Sequence, residues 1–131
     1  MAKSFKLKND IYLSGLSVKE KAVSQSDFLT LSEGFTIDLY DVYRIGNHFF
    51  GTIVCHSTTI FGKGTNTTPF YLKKLPNKST WRPCGLATQS WSVEGIGYCF
   101  YRVQNGAIYI NDQNNTHLYN YAVIPIDYIS Q

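Results

Sequence analysis

Charge is scarce in this sequence. Asp, Glu, Lys and Arg together make up 16% of its 131 residues, against 44% hydrophobic ones. A disordered chain has the reverse balance, so this composition describes a folded globular domain. The single methionine is Met1, and neither Leu nor Ala occurs in runs. Helix-forming material is therefore thin. Three cysteines, Cys55, Cys84 and Cys99, are an odd set without a Cys-x-x-Cys pair. That argues against a disulfide framework or a zinc site, and for reduced, partly buried thiols in a chain folded inside a cell. No metal and no cofactor is expected. Apolar stretches all fall short of the roughly 20 residues that a membrane helix requires, so no membrane insertion is expected. The start, Met1 to Phe5, lacks the long apolar region of a secretory signal. Phosphate-loop, dinucleotide-fold and nucleophile-elbow motifs are missing as well.

What charge there is lies unevenly. The net charge is +3. Lys3, Lys6, Lys8, Lys19 and Lys21 face only Asp10 and Glu20 within residues 1–21, while the rest of the chain balances seven basic against seven acidic side chains. A nucleic-acid binder needs a basic face on its folded body, because phosphate contacts dominate its affinity. No such surplus exists here, so no nucleic-acid partner is expected. The local group Lys73, Lys74, Lys78 and Arg82 reads as a solvated edge.

Aromatic residues are abundant: 10 Tyr, 8 Phe and 2 Trp, or 15% of the chain. Such side chains suit a pleated, half-buried surface. From residue 27 onward the pattern is one of short strands and turns. Phe35, Ile37 and Leu39 alternate with polar neighbours, and the phase slips at Asp41, where a bulge is expected. Gly46-Asn47 is a tight-turn signal, and His48 to His56 is the returning strand. Residues 34–56 thus form a hairpin. Residues 62–69 are a loop, and Phe70–Leu72 a short strand. Leu75-Pro76 to Arg82-Pro83 is a proline-bracketed connection. Strands follow at 85–91 and 96–103. Asn105-Gly106 is a turn of the same kind as Gly46-Asn47, leading to 107–110. Tyr119 to Ile129 closes the chain, with Pro125 suiting a sheet edge or the end of that strand. The fold class is all-β, an antiparallel β-sandwich of roughly seven to nine strands. Residues 1–26 form an N-terminal arm or stalk stub with a loose strand at 5–13, and residues 27–131 form the sandwich domain.

Catalytic constellations are weak. Cys55 and His56 are sequence neighbours, so on a strand they face opposite ways and cannot act together. The carboxylates Asp27, Glu33, Asp38, Asp41, Glu94, Asp112 and Asp127 show no spacing that singles out a pair for glycoside cleavage. No catalytic residue is assigned, and the chain is expected not to be an enzyme. Aromatics and polar groups near turns are what remains. Sugar rings have apolar faces that stack on Trp, and neighbouring amides, carboxylates and guanidinium groups can hydrogen-bond the hydroxyls. On that chemistry the carbohydrate-binding candidates are Trp81, Arg82, Trp91, Asp112, Asn114 and His117. Taken singly, each Trp is as readily explained by a core or subunit contact.

The order of several pieces adds to this. Tyr43–Ile53 with its Gly-Asn turn, then Leu75-Pro76 and Arg82-Pro83, then Tyr101–Ile110 with its Asn-Gly turn, then a Tyr-rich closing strand, run in one sequence. This order resembles the C-terminal head, or receptor-binding, domains of tail-fibre and baseplate proteins from phages and prophages of Gram-positive bacteria. The resemblance spans about residues 35–127. It implies a jelly-roll-like sandwich, a homotrimer, and non-enzymatic attachment of a virion to host cell-wall polysaccharide or another surface glycan. It further implies a chain made in the bacterial cytoplasm and carried at the tail tip or baseplate. Residues 1–26 could then dock onto another virion structural protein. The alternatives are a structural or assembly protein of a virion or phage-like particle and, less favoured, a small carbohydrate-active hydrolase.

Overall fold

A computed structural model of the chain describes residues 10–13, 16–61, 66–87, 96–111 and 119–131. The fold is all-β and antiparallel, as the pattern of turns implied. Strands β1 (Asp10–Leu13) and β2 (Leu16–Lys19) pair with each other in a separate two-stranded sheet. The main sheet has ten strands, in the order β3 (Lys21–Ala22), β5 (Phe35–Ile45), β6 (His48–Phe61), β12 (Tyr119–Ile129), β9 (Arg82–Ala87), β10 (Ile96–Gln104), β11 (Ala107–Asn111), β8 (Phe70–Leu72) and β4 (Leu29–Leu31), with β7 (Asn66–Thr67) on β11. The pieces beyond the expected strands are mostly two- and three-residue ladders. These are too short to show a period of two.

The polar lead is structured more than its composition suggested. Residues 16–19 are a strand, paired with residues 10–13. Lys21 and Ala22 pair with Arg44 and Tyr43, and the Val23 N–H donates to Val42 O at 3.0 Å. Strands β3 and β4 lie at opposite ends of the sheet order, yet a short link containing the one-turn helix α1 (Gln25–Phe28) joins them. The sheet therefore curls until its two edges are within reach of that link. Phe28, fully buried, closes the inside of the curl. Its ring lies 5.6 Å from Phe49, 6.3 Å from Tyr128 and 6.4 Å from Tyr40. Ile53, Cys55, Leu86, Ile108, Ile110, Ile124 and Ile126 complete the core.

Both expected hairpins form, with different turns. At Gly46-Asn47 only Gly46 has positive φ (57°), the type II′ pattern. At Asn105-Gly106 both do (53° and 83°), the type I′ pattern. The bulge in β5 falls at Asp38, not at Asp41, because Ile37 pairs with Cys55 and Leu39 with Val54. Leu39 then points outward and is 50% exposed, while Tyr40 and Val42 take the inner face. Hydrophobicity alone had placed Leu39 inside.

Two prolines sit in strands where the sequence suggested a connection or an edge. Pro83 belongs to β9, and Pro125 lies in the middle of β12, which is central in the sheet. The ladder between them explains how. It pairs Tyr121, Ala122 and Val123 with Ala87, Leu86 and Gly85, then stops. Two residues further along the same register Pro125 would face Pro83, and neither has an N–H to give. The strands part there, and side chains close the seam. The Tyr101 hydroxyl donates to Pro125 O at 2.5 Å, and Arg82 Nη1 donates to Asp127 O at 2.6 Å. The Arg82 guanidinium also lies 5.9 Å from the centre of the Tyr128 ring.

Candidate carbohydrate site on the outer sheet face

Strand registers build the site. In β10, Phe100, Arg102 and Gln104 alternate with the buried Cys99, Tyr101 and Val103 and so share the outer face. The type I′ turn sets Arg102 opposite Tyr109 and Gln104 opposite Ala107. On the other side, Tyr101 pairs with Arg82, which brings Trp81 next to Arg102. The row Trp81, Arg102, Tyr109 therefore crosses three chain segments, with Arg102 as its middle residue. Arg102 Cζ lies 5.1 Å from the Trp81 ring centre, and its Nη2 donates to Gln104 Oε1 at 2.9 Å. Trp81 is 50% exposed and Phe100 51%, and Tyr71 is exposed beside Ala107.

Gln104 leads into a cavity of about 330 Å³. Its polar walls are the amides of Asn77, Gln104, Asn105 and Gln131, with Ser79 and the cation Lys78. The connection after β8 forms one wall, and the hydrogen bonds that hold it there include Ser79 Oγ to Val103 O at 2.9 Å, Asn77 N to Ile129 O at 2.8 Å and Gln131 N to Leu75 O at 2.9 Å. Amides offer donors and acceptors together, which is what a ring of hydroxyls needs. An exposed indole beside a fixed guanidinium and a pocket of amides can hold a sugar by stacking and hydrogen bonding. A cavity of this size lies at the lower end of small-ligand sites.

Of the residues singled out from the sequence, Trp81 lies in this row. Arg82, its neighbour in extended chain, points the other way and serves the seam under Asp127 and Tyr128. Trp91, Asp112, Asn114 and His117 lie outside the described residues. Arg102 and Tyr109 were missed, although the Asn-Gly turn predicts their pairing once its two-residue loop is counted. Asn77 and Gln131 gave no local signal, since only tertiary contact brings them to the cavity.

Two of the histidines each face a carboxylate on the outer surface. His48 Nε2 lies 2.6 Å from Asp127 Oδ1, and His56 Nδ1 lies 2.8 Å from Asp38 Oδ2. His56 also stacks on Tyr121, with ring centres 4.9 Å apart. Cys55 is on the opposite face, fully buried. Burial, and then the nearby Asp38 charge, pushes its thiol up to about 12, so it is no thiolate near neutral pH. Among the described residues, no cluster of three or more His, Cys, Asp or Glu side chains is placed to hold a metal ion.

No family model, curated protein or solved structure matches this chain.

Proposed function

We propose that this chain is a non-enzymatic recognition domain that binds carbohydrate on the outer face of β9, β10 and β11. The observation that carries the reading is the exposed Trp81 ring with the Arg102 guanidinium 5.1 Å from its centre, beside an amide-lined cavity. Trp81 and Tyr109 would stack on the apolar face of a sugar ring. Arg102, Gln104 and Asn77 would bond its hydroxyls. Together with the order of turn motifs, this favours a virion attachment domain of a phage or prophage, homotrimeric, gripping host cell-wall polysaccharide weakly per site and gaining avidity by copy number. The test is glycan binding by the full chain and by Trp81→Ala. The exposed ring makes little of the fold, so the variant should keep its thermal stability and lose at least tenfold in affinity. Unchanged affinity would remove the site from this face.

A second surface favours a structural or assembly role. In the β5, β6 and β12 registers, Leu39, Val54 and Val123 form one row on the outer face, with Pro125 and Ile129 alongside. Leu39 and Ile129 are 50% and 55% exposed. Sedimentation of the wild type and of Leu39→Asp decides the matter. An oligomer lost in the variant, with no glycan binding in either, would favour assembly over recognition.

A further inference from the structure

We propose that Cys84 and Cys99 form a reversible disulfide site, which links β9 to β10 when the chain meets an oxidising low-molecular-weight disulfide. In the folded protein both are free, buried thiols. The odd number of cysteines hides the pair in the sequence, and the strand register reveals it. Cys84 of β9 and Cys99 of β10 are direct partners in the antiparallel ladder. Direct partners have Cα atoms about 4.5 or 5.5 Å apart, and a disulfide accepts about 4.4–6.8 Å. Both side chains turn to the inner face, and their Sγ atoms lie 3.3 Å apart. The bond needs about 2.0 Å, a closure that the backbone spacing already allows. Cys55 is placed differently. Its ladder neighbours are Ile37 of β5 and Ala122 of β12, and β12 runs between β6 and β9. The third cysteine therefore stays a thiol.

Thiol–disulfide exchange supplies the step. The thiolate of one cysteine attacks a sulfur of the small disulfide, forms a mixed disulfide and expels one small thiolate. The thiolate of the partner cysteine then attacks the first cysteine's sulfur, closes the bond between the strands and expels the second. Two electrons pass from the cysteine pair to the small disulfide, and the two thiol protons end on the two small thiols. The reaction needs a thiolate and an open approach. Cys84 offers neither in the closed fold, where its contact with Cys99 and its burial push the thiol upward. Exchange therefore takes place in the open chain, during refolding or local opening. The native register then favours the closing step, because it holds the two sulfurs in contact.

The bond falls where β9 has a ladder on one side only. β12 pairs with Gly85, Leu86 and Ala87, whereas β10 pairs with the whole of Arg82–Ala87. A link at Cys84 thus fastens β9 beside the seam, and joins the strand that follows Trp81 to the strand that carries Arg102. In a reducing cytoplasm small thiols keep such a pair open, and oxidising surroundings close it.

The experiment refolds the full chain from guanidinium in oxidised glutathione and, in parallel, in dithiothreitol. Each product is denatured, alkylated with iodoacetamide and digested with trypsin. Cleavage after Lys78 and Arg102 leaves Cys84 and Cys99 in one peptide, since Pro83 protects the bond after Arg82. After oxidative refolding that peptide should carry no label and be lighter by two hydrogens, while the Cys55 peptide is labelled. The link closes a loop of about 15 residues, so the oxidised protein should melt about 10 °C above the reduced one. Cys99→Ala, refolded in the same way, should show no such gain. The wild-type peptide map decides the matter even where Cys99→Ala does not fold. Full labelling of that peptide after oxidative refolding would overturn the site. So would a bond to Cys55, glutathione retained on either cysteine in place of the link, or a linked protein that melts no higher than the reduced one.

Discussion

Replacing Tyr101 with Phe deletes one oxygen at the seam where β9 and β12 part. The hydroxyl donates to Pro125 O at 2.5 Å, and Tyr101 itself is 1% exposed. Pro83, which the register of β9 and β12 would set opposite Pro125, has no N–H to replace the lost donor. The variant loses a hydrogen bond and leaves a carbonyl short of a partner. A buried group left unsatisfied costs about 1–3 kcal/mol, and this partly buried bond belongs in the lower half, about 1–2 kcal/mol. With roughly 2.1 cal/mol/K per residue of unfolding entropy, the 131-residue chain has about 0.28 kcal/mol/K, so Tm should drop by about 4–7 °C. Urea unfolding followed by tryptophan fluorescence checks this against Tyr71→Phe, whose ring is 48% exposed. That control should stay within about 0.5 kcal/mol of the wild type. A Tyr101→Phe protein as stable as the control would refute the idea that side chains seal this seam.

Three further outcomes follow from the same geometry. Gly51→Ala should fold poorly or lose more than about 3 kcal/mol, since a Cβ there would lie 1.9 Å from Asp41 O at a φ of +142°; circular dichroism melting measures it. Cys55, Cys84 and Cys99 should resist iodoacetamide for hours in the native protein at pH 8 and react at once in guanidinium, as mass spectrometry can show. Burial pushes the Cys55 thiol up to about 12, and the Cys84 thiol is raised further by its contact with Cys99, Sγ to Sγ 3.3 Å, and by burial. At high pH the fold should fail through its tyrosines. Burial, helped by the Asp27 charge, lifts Tyr40 from 10.0 to about 12, and burial also raises Tyr101 and Tyr128. A raised folded-state value contributes stability fully below pH 10, where the unfolded phenol is neutral, and loses it as pH climbs towards 12. Phenolate absorbance at 295 nm should therefore rise together with loss of structure in that window, and a non-cooperative rise without unfolding would contradict it.

Much of this architecture was legible in the residues. Gly46-Asn47 and Asn105-Gly106 announce two hairpins because few other dipeptides accept positive φ at the required position. Their registers follow from loop length, which made the Arg102–Tyr109 pair readable as well. The bulge was misplaced because Leu39 looks like a core residue, whereas the chain turns it outward so that Tyr40 and Val42 can reach Phe28 and the core. The strand positions of Pro83 and Pro125 were hidden for a different reason. A lone proline argues against a central strand, and only the register reveals that the two would face each other where the ladder ends. Trp81 was chosen for its chemistry, but its partnership with Arg102 depends on where β9 begins.

The central claim is that Trp81, Arg102 and the adjoining amide-lined cavity bind carbohydrate. Titration of isotope-labelled wild-type protein with fragments of Gram-positive cell-wall polysaccharide tests it most directly. Saturable shifts should centre on the Trp81 indole N–H, Arg102, Gln104 and Tyr109, and should vanish in Trp81→Ala. No shifts at any concentration, or shifts confined to the β5, β6 and β12 face, would contradict it.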